Sequence, residues 1–343
     1  MSTSEKLVII TNERIFFDGA DYFCDNIDIK TILESLSNKF EIITCCRSSK
    51  KTRPVKFSAN KVFIVNSILK FIKSIFNVIA IKNKKIIYIS IHPFSFSFFL
   101  VLSLFKKNSF VYLRSNGFKE YEVILGKQWV WIYAIMFKIV TYYSRIISCH
   151  DSLAKGKKQI FLNPSELDKN WFVELKDPKL DVPELLYVGR LKVEKGIYSL
   201  IEMVKNIEAK IKFTIVGLGD DLLLDKLGFI ELIPFVNKKH DLINYYDNHN
   251  IVVLPSYTEA HPKVVDEALA RLRPVVIFDE ISHIVGNRKG VFVANRNSDS
   301  LKKTIFYIME NYKEIQEMIK KNNLPTKEKF IDDLTKIISN EII

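Results

Sequence analysis

Short apolar runs alternate with segments of helical periodicity along the whole of this chain. That alternation is typical of parallel strands joined by helices, and it predicts an α/β architecture. The 343 residues are too many for one ordinary hydrophobic core and suit two domains. In the first half, the predicted strands are Leu7–Thr11, Glu41–Cys45, Lys85–Ile89, Phe110–Leu113 and Ile146–Cys149. The predicted helices between them are Ile29–Ser37, Lys61–Phe76, Phe96–Phe105 and Gln128–Tyr143.

The same alternation returns after a break in the middle of the chain. Residues 163–183 carry three prolines, charged side chains and no sustained periodicity, which predicts a linker between two domains. The strands predicted beyond it are Leu185–Val188, Lys212–Val216, Ile230–Phe235, Ile251–Pro255, Val275–Phe278 and Val291–Val293. The predicted helices are Ile197–Ile207, His240–Asn248, Lys263–Leu272, Leu301–Lys321 and Lys327–Ile338. We therefore predict Rossmann-like domains at 1–165 and 184–322, with residues 323–343 forming a C-terminal helix that packs back on the N-terminal domain.

The positive charge of the chain is confined to its first half. The net charge is +12, and residues 1–170 contain 26 Lys and Arg against 13 Asp and Glu, whereas the remainder is nearly neutral. Within residues 51–158 the numbers are 19 and 3, with aromatic residues interleaved. Such a surface attracts anions. The partners that it suggests are nucleic acid, phospholipid head groups or a phosphorylated substrate.

Two apolar segments of the first half bear on membrane contact. The segment Ile86–Phe105 lacks Asp, Glu, Lys and Arg over twenty residues, the length of a bilayer span, but it contains His92, Pro93 and four serines. We interpret it as a buried strand followed by a buried helix. Lys61–Phe76 has a polar stripe at three- and four-residue spacing, as in an amphipathic helix that packs on a sheet or lies on a membrane surface.

Cysteine use and the start of the chain indicate a reducing compartment. The four cysteines Cys24, Cys45, Cys46 and Cys149 include no C-x-x-C pair, so they suit neither a disulfide framework nor a typical zinc site. The first residues are polar and lead into a predicted strand without the pattern of a secretion signal. We expect a cytoplasmic protein.

The residues that suggest chemistry lie in the second half. Arg190 and Lys195 share one loop between a predicted strand and helix, at the carboxyl edge of the sheet where open α/β folds bind ligands. A guanidinium fork together with a mobile ammonium suits a diphosphate. Pro262 stands where the next helix would begin, so the positive end of that helix dipole faces the preceding loop and suits an anion. Glu259 in that loop and Glu267 on the helix would accept hydrogen bonds from hydroxyls, which together describes a nucleotide sugar.

The second half resembles the nucleotide-binding domain of glycosyltransferase family 4, the retaining enzymes of the GT-B fold. The resemblance covers roughly residues 184–295, with the motifs in family order, and the first half matches mainly in its rhythm of strands and helices. The matching pieces are Gly189-Arg190 with Glu194-Lys195-Gly196, the turn Ile215–Gly219, Leu254-Pro255-Ser256, the pair Glu259 and Glu267, and Pro274-Val275-Val276.

The resemblance implies two Rossmann-like domains with parallel sheets facing across a cleft, the N-terminal one for the acceptor and the C-terminal one for the donor. It implies that Arg190 and Lys195 hold the donor diphosphate and stabilise the leaving group without a metal or other cofactor. Glu259 would bind the donor sugar and act with them as a catalytic residue, and Glu267 would bind the ribose. The remaining donor contacts that it implies are the backbone near Phe235, next to the base, and the N–H groups of Lys263 and Val264.

The sequence departs from the family pattern in its first domain. Many members carry a histidine before a glycine at the end of an N-terminal strand. Here the strand ends in Arg114-Ser115-Asn116-Gly117, so either Arg114 or Asn116 fills that place or the contact is absent. His92, at the end of the preceding strand, is a second candidate for the cleft. The usual glycine-rich first loop is reduced to a single glycine, Gly19.

The function we expect is transfer of a sugar to a glycan, or lipid-linked glycan, acceptor at the inner face of a membrane, in O-antigen or capsule synthesis. The alternatives are a nucleotide-sugar epimerase on the same fold, a basic protein that binds nucleic acid, and an inactive scaffold at a membrane surface. The aromatic residues of the basic half fall within apolar runs rather than an exposed stacking ladder, so we expect no nucleic-acid partner. An anionic membrane surface stays among the expected partners.

Overall fold

The computed structural model describes residues 5–105, 109–217, 229–234, 236 and 238–340. The chain divides into two units, unit 1 with Met1–Pro164 and Glu328–Ile343, and unit 2 with Ser165–Lys327. Each unit contains a sheet built mainly of parallel strands with helices between them, so the α/β fold class predicted from the alternating pattern is confirmed.

Unit 1 is built on a parallel sheet of order β5-β3-β1-β6-β7-β8-β9, and β2 and β4 add an antiparallel extension at the end of β1. The strands are β1 (Glu5–Phe17), β2 (Tyr22–Cys24), β3 (Phe40–Ser48), β4 (Val55–Phe57), β5 (Lys61–Val65), β6 (Lys84–Ile89), β7 (Ser109–Leu113), β8 (Ser144–Ser148) and β9 (Gln159–Phe161). The helices are α1 (Ile27–Leu36), α2 (Ile68–Ala80), α3 (Pro93–Leu102), α4 (Gly117–Leu125), α5 (Val130–Tyr143) and α6 (Asp151–Ala154).

The apolar segment Ile86–Phe105 forms most of strand β6 and all of helix α3, as its serines and proline predict. Within the described ranges, no helix is both long and apolar enough to cross a bilayer. All four cysteines are buried and none of them forms a disulfide in the described part of the chain, and burial raises the pKa of Cys24 and Cys45 to about 12. These two thiols therefore carry no reactive thiolate near neutral pH.

The predicted helix Lys61–Phe76 is wrong over its first third. Residues 61–65 form β5, which pairs in parallel with β3, and α2 begins only at Ile68. Ser67 separates the two because its side chain accepts a hydrogen bond from the N–H of Lys70 and caps the helix. Residues 62–65 include two valines and an isoleucine, which suit a strand, and the polar stripe that predicts the helix begins only at Asn66.

Unit 2 has a six-stranded parallel sheet of order β12-β11-β10-β13-β14-β15. The strands are β10 (Glu184–Val188), β11 (Lys212–Val216), β12 (Ile230–Ile233), β13 (Ile251–Leu254), β14 (Val275–Phe278) and β15 (Val291–Ala294). The helices are α7 (Ile197–Lys205), α8 (Lys239–Asn248), α9 (Lys263–Ala270), α10 (Ser298–Glu310) and α11 (Tyr312–Ile319). Nearly continuous apolar strands, buried on both faces, explain why these elements were readable from the sequence.

The predicted helix Leu301–Lys321 is two helices, α10 and α11, divided at Asn311. The final helix, α12 (Lys327–Ser339), buries Phe330 and Leu334. It belongs almost wholly to unit 1, where Asn340 just beyond it accepts a 2.6 Å hydrogen bond from Arg145.

Nearly all of the proline-containing segment 163–183 belongs to unit 2, and it packs on the rest of that unit. Its short 3₁₀ helix Lys169–Phe172 buries Trp171, whose ring meets that of Tyr246 edge to face at 5.5 Å. Two arginines with almost no exposed surface, Arg271 and Arg273, donate hydrogen bonds to backbone carbonyls of the segment. The missing periodicity therefore reflects an irregular but anchored segment.

Candidate functional site

The candidate site lies at the carboxyl edge of the unit 2 sheet, where β10 and β13 are neighbours. β11 follows β10 on one side and β14 follows β13 on the other, so the strand order reverses between β10 and β13. Loops leaving two such strands run in opposite directions and open a crevice, the usual ligand site of an open α/β sheet.

Glycines let the loops at this edge approach one another through their backbones. A Cβ on Gly196, which has a φ of +66°, would lie 1.9 Å from the carbonyl oxygen of Pro255. A Cβ on Gly217 would lie 1.7 Å from the carbonyl oxygen of Gly189. The loops after β10, β11 and β13 therefore meet at distances that only glycine allows.

Lys195 and Glu259 form an ion pair at the meeting point of two of these loops. The Nζ of Lys195 lies 2.6 Å from Oε1 of Glu259, and the hydroxyl of Ser256 donates to the same oxygen at 2.7 Å. The N–H of Tyr257 donates to the carbonyl oxygen of Glu194 at 3.0 Å, which joins the two loops beside the ion pair. The charged heads are mostly but not completely buried, at 22% and 13% side-chain exposure, so a ligand can still reach them.

Arg190 shares the loop of Lys195 but keeps its side chain exposed. The hydroxyl of Tyr187 donates a 2.8 Å hydrogen bond to the carbonyl oxygen of Arg190, which fixes the backbone there. Burial raises the pKa of Tyr187, Glu259 raises it further, and the guanidinium of Arg190 opposes them. The backbone of Arg190 therefore lies at the same sheet edge as the ion pair of Lys195 and Glu259, in the loop that it shares with Lys195.

Glu267 lies on helix α9 with little exposed surface. The hydroxyl of Tyr246 donates to Oε2 of Glu267 at 2.7 Å. Burial raises the pKa of Glu267, whereas this hydrogen bond and the charge of Lys263 oppose the shift. Glu267 is thus a carboxylate held in place by a neighbour and not a solvated one.

The side chain of Lys263 points into unit 2 and contacts Glu166. Its Nζ lies 3.0 Å from Oε1 of Glu166, and burial lowers the pKa of Lys263. Only the backbone of Lys263 and Val264, at the N-terminus of α9, then suits a donor contact. No side chain in the described part of the chain caps this terminus, at which Pro262 is the N-cap residue. Phe235, predicted to border the base, and residues 218–219 of the glycine turn lie outside the described residues.

Arg296 is a residue of the site that the sequence analysis missed. Its guanidinium lies 4.2 Å from the ring centre of Tyr257, donates to the carbonyl oxygen of Pro255 at 2.9 Å, and pairs with Glu280 at 2.6 Å. Arg296 follows β15, and from there its side chain holds in place the loop that contains Glu259. Nothing in the local sequence marks it, because its partners lie 16 to 41 residues away.

A second missed group fixes the other end of the same loop. His261 lies 2.8 Å from Asp266, and Arg288 lies 2.7 Å from the other oxygen of that carboxylate. Burial alone would raise the pKa of Asp266, but hydrogen bonds from His261 and Arg288 outweigh it and lower the pKa. His283 Nε2 lies 2.9 Å from the carbonyl oxygen of Glu259. The backbone around Glu259 is thus held from several sides before any ligand binds.

The candidate cleft residues of unit 1 have structural partners. Arg114 forms a 2.8 Å ion pair with Asp28, and the side chain of Asn116 caps α4. Gly19 has a φ of +106° in an open turn. His92 caps α3, with Nδ1 accepting from the N–H of Phe94 at 3.2 Å. Their predicted roles toward a ligand stay predictions.

His92→Asn should make the fold less sensitive to acid. Burial, with a smaller contribution from Arg47, lowers the pKa of His92 from 6.5 to about 4. The unfolded chain therefore binds the proton more readily, so this stabilisation is complete above pH 6.5 and is lost as the pH falls toward about 4. Protonation also removes the cap, which is worth about 1 kcal/mol. Asparagine keeps a cap without titrating.

The measurement is the urea midpoint at about pH 7 and about pH 4.5 for the original chain, for His92→Asn, and for His240→Asn, an exposed histidine on α8, as control. We expect the midpoint to fall least on acidification in His92→Asn. An equal fall in all three proteins would contradict the assignment.

Comparisons with known proteins find similarity to glycosyltransferases in sequence. Residues 172–324 match the family model described as glycosyl transferases group 1. Over 129 residues the chain is 33% identical to TuaC of Bacillus subtilis (strain 168), a glycosyltransferase named for teichuronic acid biosynthesis. Over 230 residues it is 22% identical to the N,N'-diacetylbacillosaminyl-diphospho-undecaprenol alpha-1,3-N-acetylgalactosaminyltransferase of Campylobacter jejuni.

The sequence matches cover only part of each chain, whereas the structural similarity extends over nearly the whole length of both chains. The TuaC match covers 37% of this chain and 33% of TuaC, and the second covers 65% of this chain and 55% of that relative. Among solved structures, sucrose-phosphate synthase from Thermosynechococcus elongatus superposes with a TM-score of 0.73 at 15% identity, over 98% of this chain and 99% of that one. The resemblance drawn from the motifs is confirmed: residues 172–324, somewhat less than half of the chain, match the glycosyl transferases group 1 family model, and the chain has the GT-B fold.

Proposed function

We propose that this protein is a glycosyltransferase that moves a sugar from a nucleoside diphosphate sugar to a hydroxyl of a glycan acceptor, with retention of configuration. The observation that carries the proposal is the ion pair of Lys195 and Glu259 at the sheet edge, beside Arg190 and the N-terminus of α9. This arrangement offers cations and a helix dipole to a diphosphate and a carboxylate to sugar hydroxyls.

The chemical step follows from where charge develops. As the bond between the sugar and the diphosphate breaks, negative charge grows on the leaving phosphate oxygen. Lys195 and Arg190 stabilise that charge by hydrogen bonds that strengthen as the bond breaks. Because Glu259 is already held by Ser256 and Lys195, its carboxylate needs little reorganisation to accept hydrogen bonds from the sugar.

We assign the ribose to Glu267. Tyr246 occupies Oε2 of Glu267, and the other carboxylate oxygen is the proposed acceptor for a ribose hydroxyl. The backbone N–H groups of Lys263 and Val264 are proposed to contact phosphate or sugar. The N-terminus of α9 supports that assignment because a helix dipole attracts anions.

The proposal needs no metal ion, because the cations of the loop after β10 can neutralise the leaving diphosphate themselves. In the described part of the chain, no group of three or more His, Cys, Asp or Glu side chains could hold a metal ion. A test of metal independence is transfer in the presence of a strong chelator, which we expect to leave the rate unchanged.

We place the reaction in bacterial surface polysaccharide synthesis, on a lipid-linked acceptor at the inner face of the membrane. The names of the two relatives, one for teichuronic acid and one for an undecaprenol-linked glycan, support this placement. The basic excess of residues 1–170 suits a membrane surface or an acceptor that carries phosphate.

Nucleotide binding tests the site directly. In a thermal-shift screen of nucleoside diphosphates and their sugars, we expect one nucleotide to raise the melting temperature by about 5 °C or more when present at about 100 times its Kd. Arg190→Ala and Glu267→Ala should each remove most of that shift, because one loses a diphosphate contact and the other a ribose contact. Glu202→Ala, an exposed carboxylate on α7, is the control. A shift that survives both site substitutions would mean that the site lies elsewhere.

A further inference from the structure

Three helices of unit 1, α2, α3 and α5, form one layer on the sheet. Helices α2 and α3 contact each other through aromatic rings, with the centroids of Phe71 and Phe98 4.7 Å apart. Helix α3 also contacts α5. The inner faces pack on strands, so the outer faces of the three helices are neighbouring parts of one surface.

That surface exposes large apolar side chains in regular stripes. On α2, Leu69 is 79% exposed and Phe76 is 66% exposed. On α5, the exposed positions 131, 135, 138 and 142 recur at helical spacing and fall on one face. The exposed apolar and aromatic residues of the layer are Ile68, Leu69, Ile72 and Phe76 on α2, Leu100 on α3 with Leu104 and Phe105 just after it, and Trp131, Ile135, Tyr142 and Tyr143 on α5.

The charged residues of this surface are all positive. No Asp or Glu occurs between Glu41 and Glu120, which includes all of α2 and α3, and α5 has none. Lys70 and Lys73 on α2 and Lys138 on α5 are exposed among the apolar residues. A set of this size is uncommon on a surface that faces only water.

We propose that the outer face of α2, α3 and α5 docks on the surface of an anionic lipid bilayer. Apolar and aromatic side chains with lysines between them are the pattern of helices that lie in the interface, where the rings enter the head-group region and the ammonium groups meet lipid phosphates. A carboxylate-free surface suits this partner, since anionic lipid repels Asp and Glu. This docking surface rests on the proposed function for its biological role. It would keep the enzyme at the membrane that carries its acceptor.

The test is co-sedimentation of the full chain with vesicles. We expect binding to vesicles of phosphatidylglycerol and phosphatidylcholine in equal parts, and much weaker binding to pure phosphatidylcholine. The variant Leu69→Ser with Phe76→Ser should bind the anionic vesicles at least about tenfold more weakly. The variant Lys70→Glu with Lys73→Glu should lose a similar amount and reduce the salt dependence. Val293→Ser with Tyr307→Ser, one aliphatic and one aromatic residue exposed in unit 2, is the matched control.

The outcomes separate this inference from the proposed function. Every variant is also measured for the nucleotide-induced thermal shift, which should be unchanged because these residues lie in helices far along the chain from the unit 2 site. Loss of vesicle binding in the two α2 variants supports docking even where no nucleotide binds, and that second result would count only against the proposed function. Equal binding of all variants would overturn the docking surface. So would a dimer in light scattering that the Leu69 and Phe76 substitutions dissociate, because the face would then be covered by a second copy.

Discussion

Lys195→Ala should lower kcat/KM for sugar transfer by about 10²–10³-fold, the effect seen when one preorganised donor to a developing negative charge is removed. Two losses combine. The leaving diphosphate loses a charge-assisted hydrogen bond, and Glu259, which is mostly buried, loses the cation 2.6 Å from its Oε1. Without Lys195, the Glu259 carboxylate also repels the negative charge that grows on the leaving diphosphate.

The loss should fall mainly on kcat, because the charge that Lys195 stabilises is largest in the transition state. Lys195→Arg should recover part of the rate, since it restores the charge with a different geometry. Lys205→Ala, an exposed lysine at the end of α7, is the control and should keep full activity. Steady-state kinetics with release of the nucleoside diphosphate as the readout measures all three. A Lys195→Ala enzyme within twofold of the original kcat/KM would remove Lys195 from the chemistry.

The site residues that could be predicted from the sequence lie close to one another along the chain. Arg190 and Lys195 lie five residues apart in one loop, and Glu259 and Glu267 are separated by a loop end and two helical turns. Buried parallel strands are continuous apolar runs, so strands β10 to β15 could be placed to within a few residues. Once the strands are placed, the carboxyl edge and its loops follow.

The parts that were not readable depend on side chains distant in sequence. Arg296 reaches the loop of Glu259 from beyond β15, and Lys263 turns to Glu166, 97 residues earlier. No periodicity encodes such pairs, because each partner alone looks like an ordinary surface charge. The sequence predicts a linker at residues 163–183 for the same reason, because the side chains that order this segment, Arg271 and Arg273, lie about 100 residues away.

Two unit 1 candidates occupy sequence positions that fit two different roles. His92 and Asn116 each follow a strand and precede a helix, a position where both a ligand residue and an N-cap are expected. In this structure both side chains cap helices. Sequence position alone could not separate the two roles.

Asp247→Asn should destabilise unit 2 by about 3–5 kcal/mol, the largest stability effect we expect from a single substitution. Asp247 is buried, and its two carboxylate oxygens accept hydrogen bonds from Nε and Nη2 of Arg271, each at 2.8 Å. Arg271 in turn donates to the carbonyl oxygens of Trp171, Val173 and Glu174. Removing the negative charge leaves a buried guanidinium without its counter-ion, and the anchor of residues 171–174 is weakened with it.

Urea unfolding measures the effect, with Trp171 fluorescence as a probe local to unit 2. Trp129 and Trp131, both exposed in unit 1, are first replaced by phenylalanine so that the signal comes from the anchored segment alone. The matched control is Glu317→Gln on α11, whose pair with Lys320 is solvent-exposed and should contribute about 1 kcal/mol or less. If Asp247→Asn lowered the free energy of unfolding no more than Glu317→Gln does, the buried pair would not be what holds this segment to unit 2. The contrast between the two pairs is informative because both are short, but the Asp247–Arg271 pair is buried and has two hydrogen bonds, whereas the Glu317–Lys320 pair is exposed and has one.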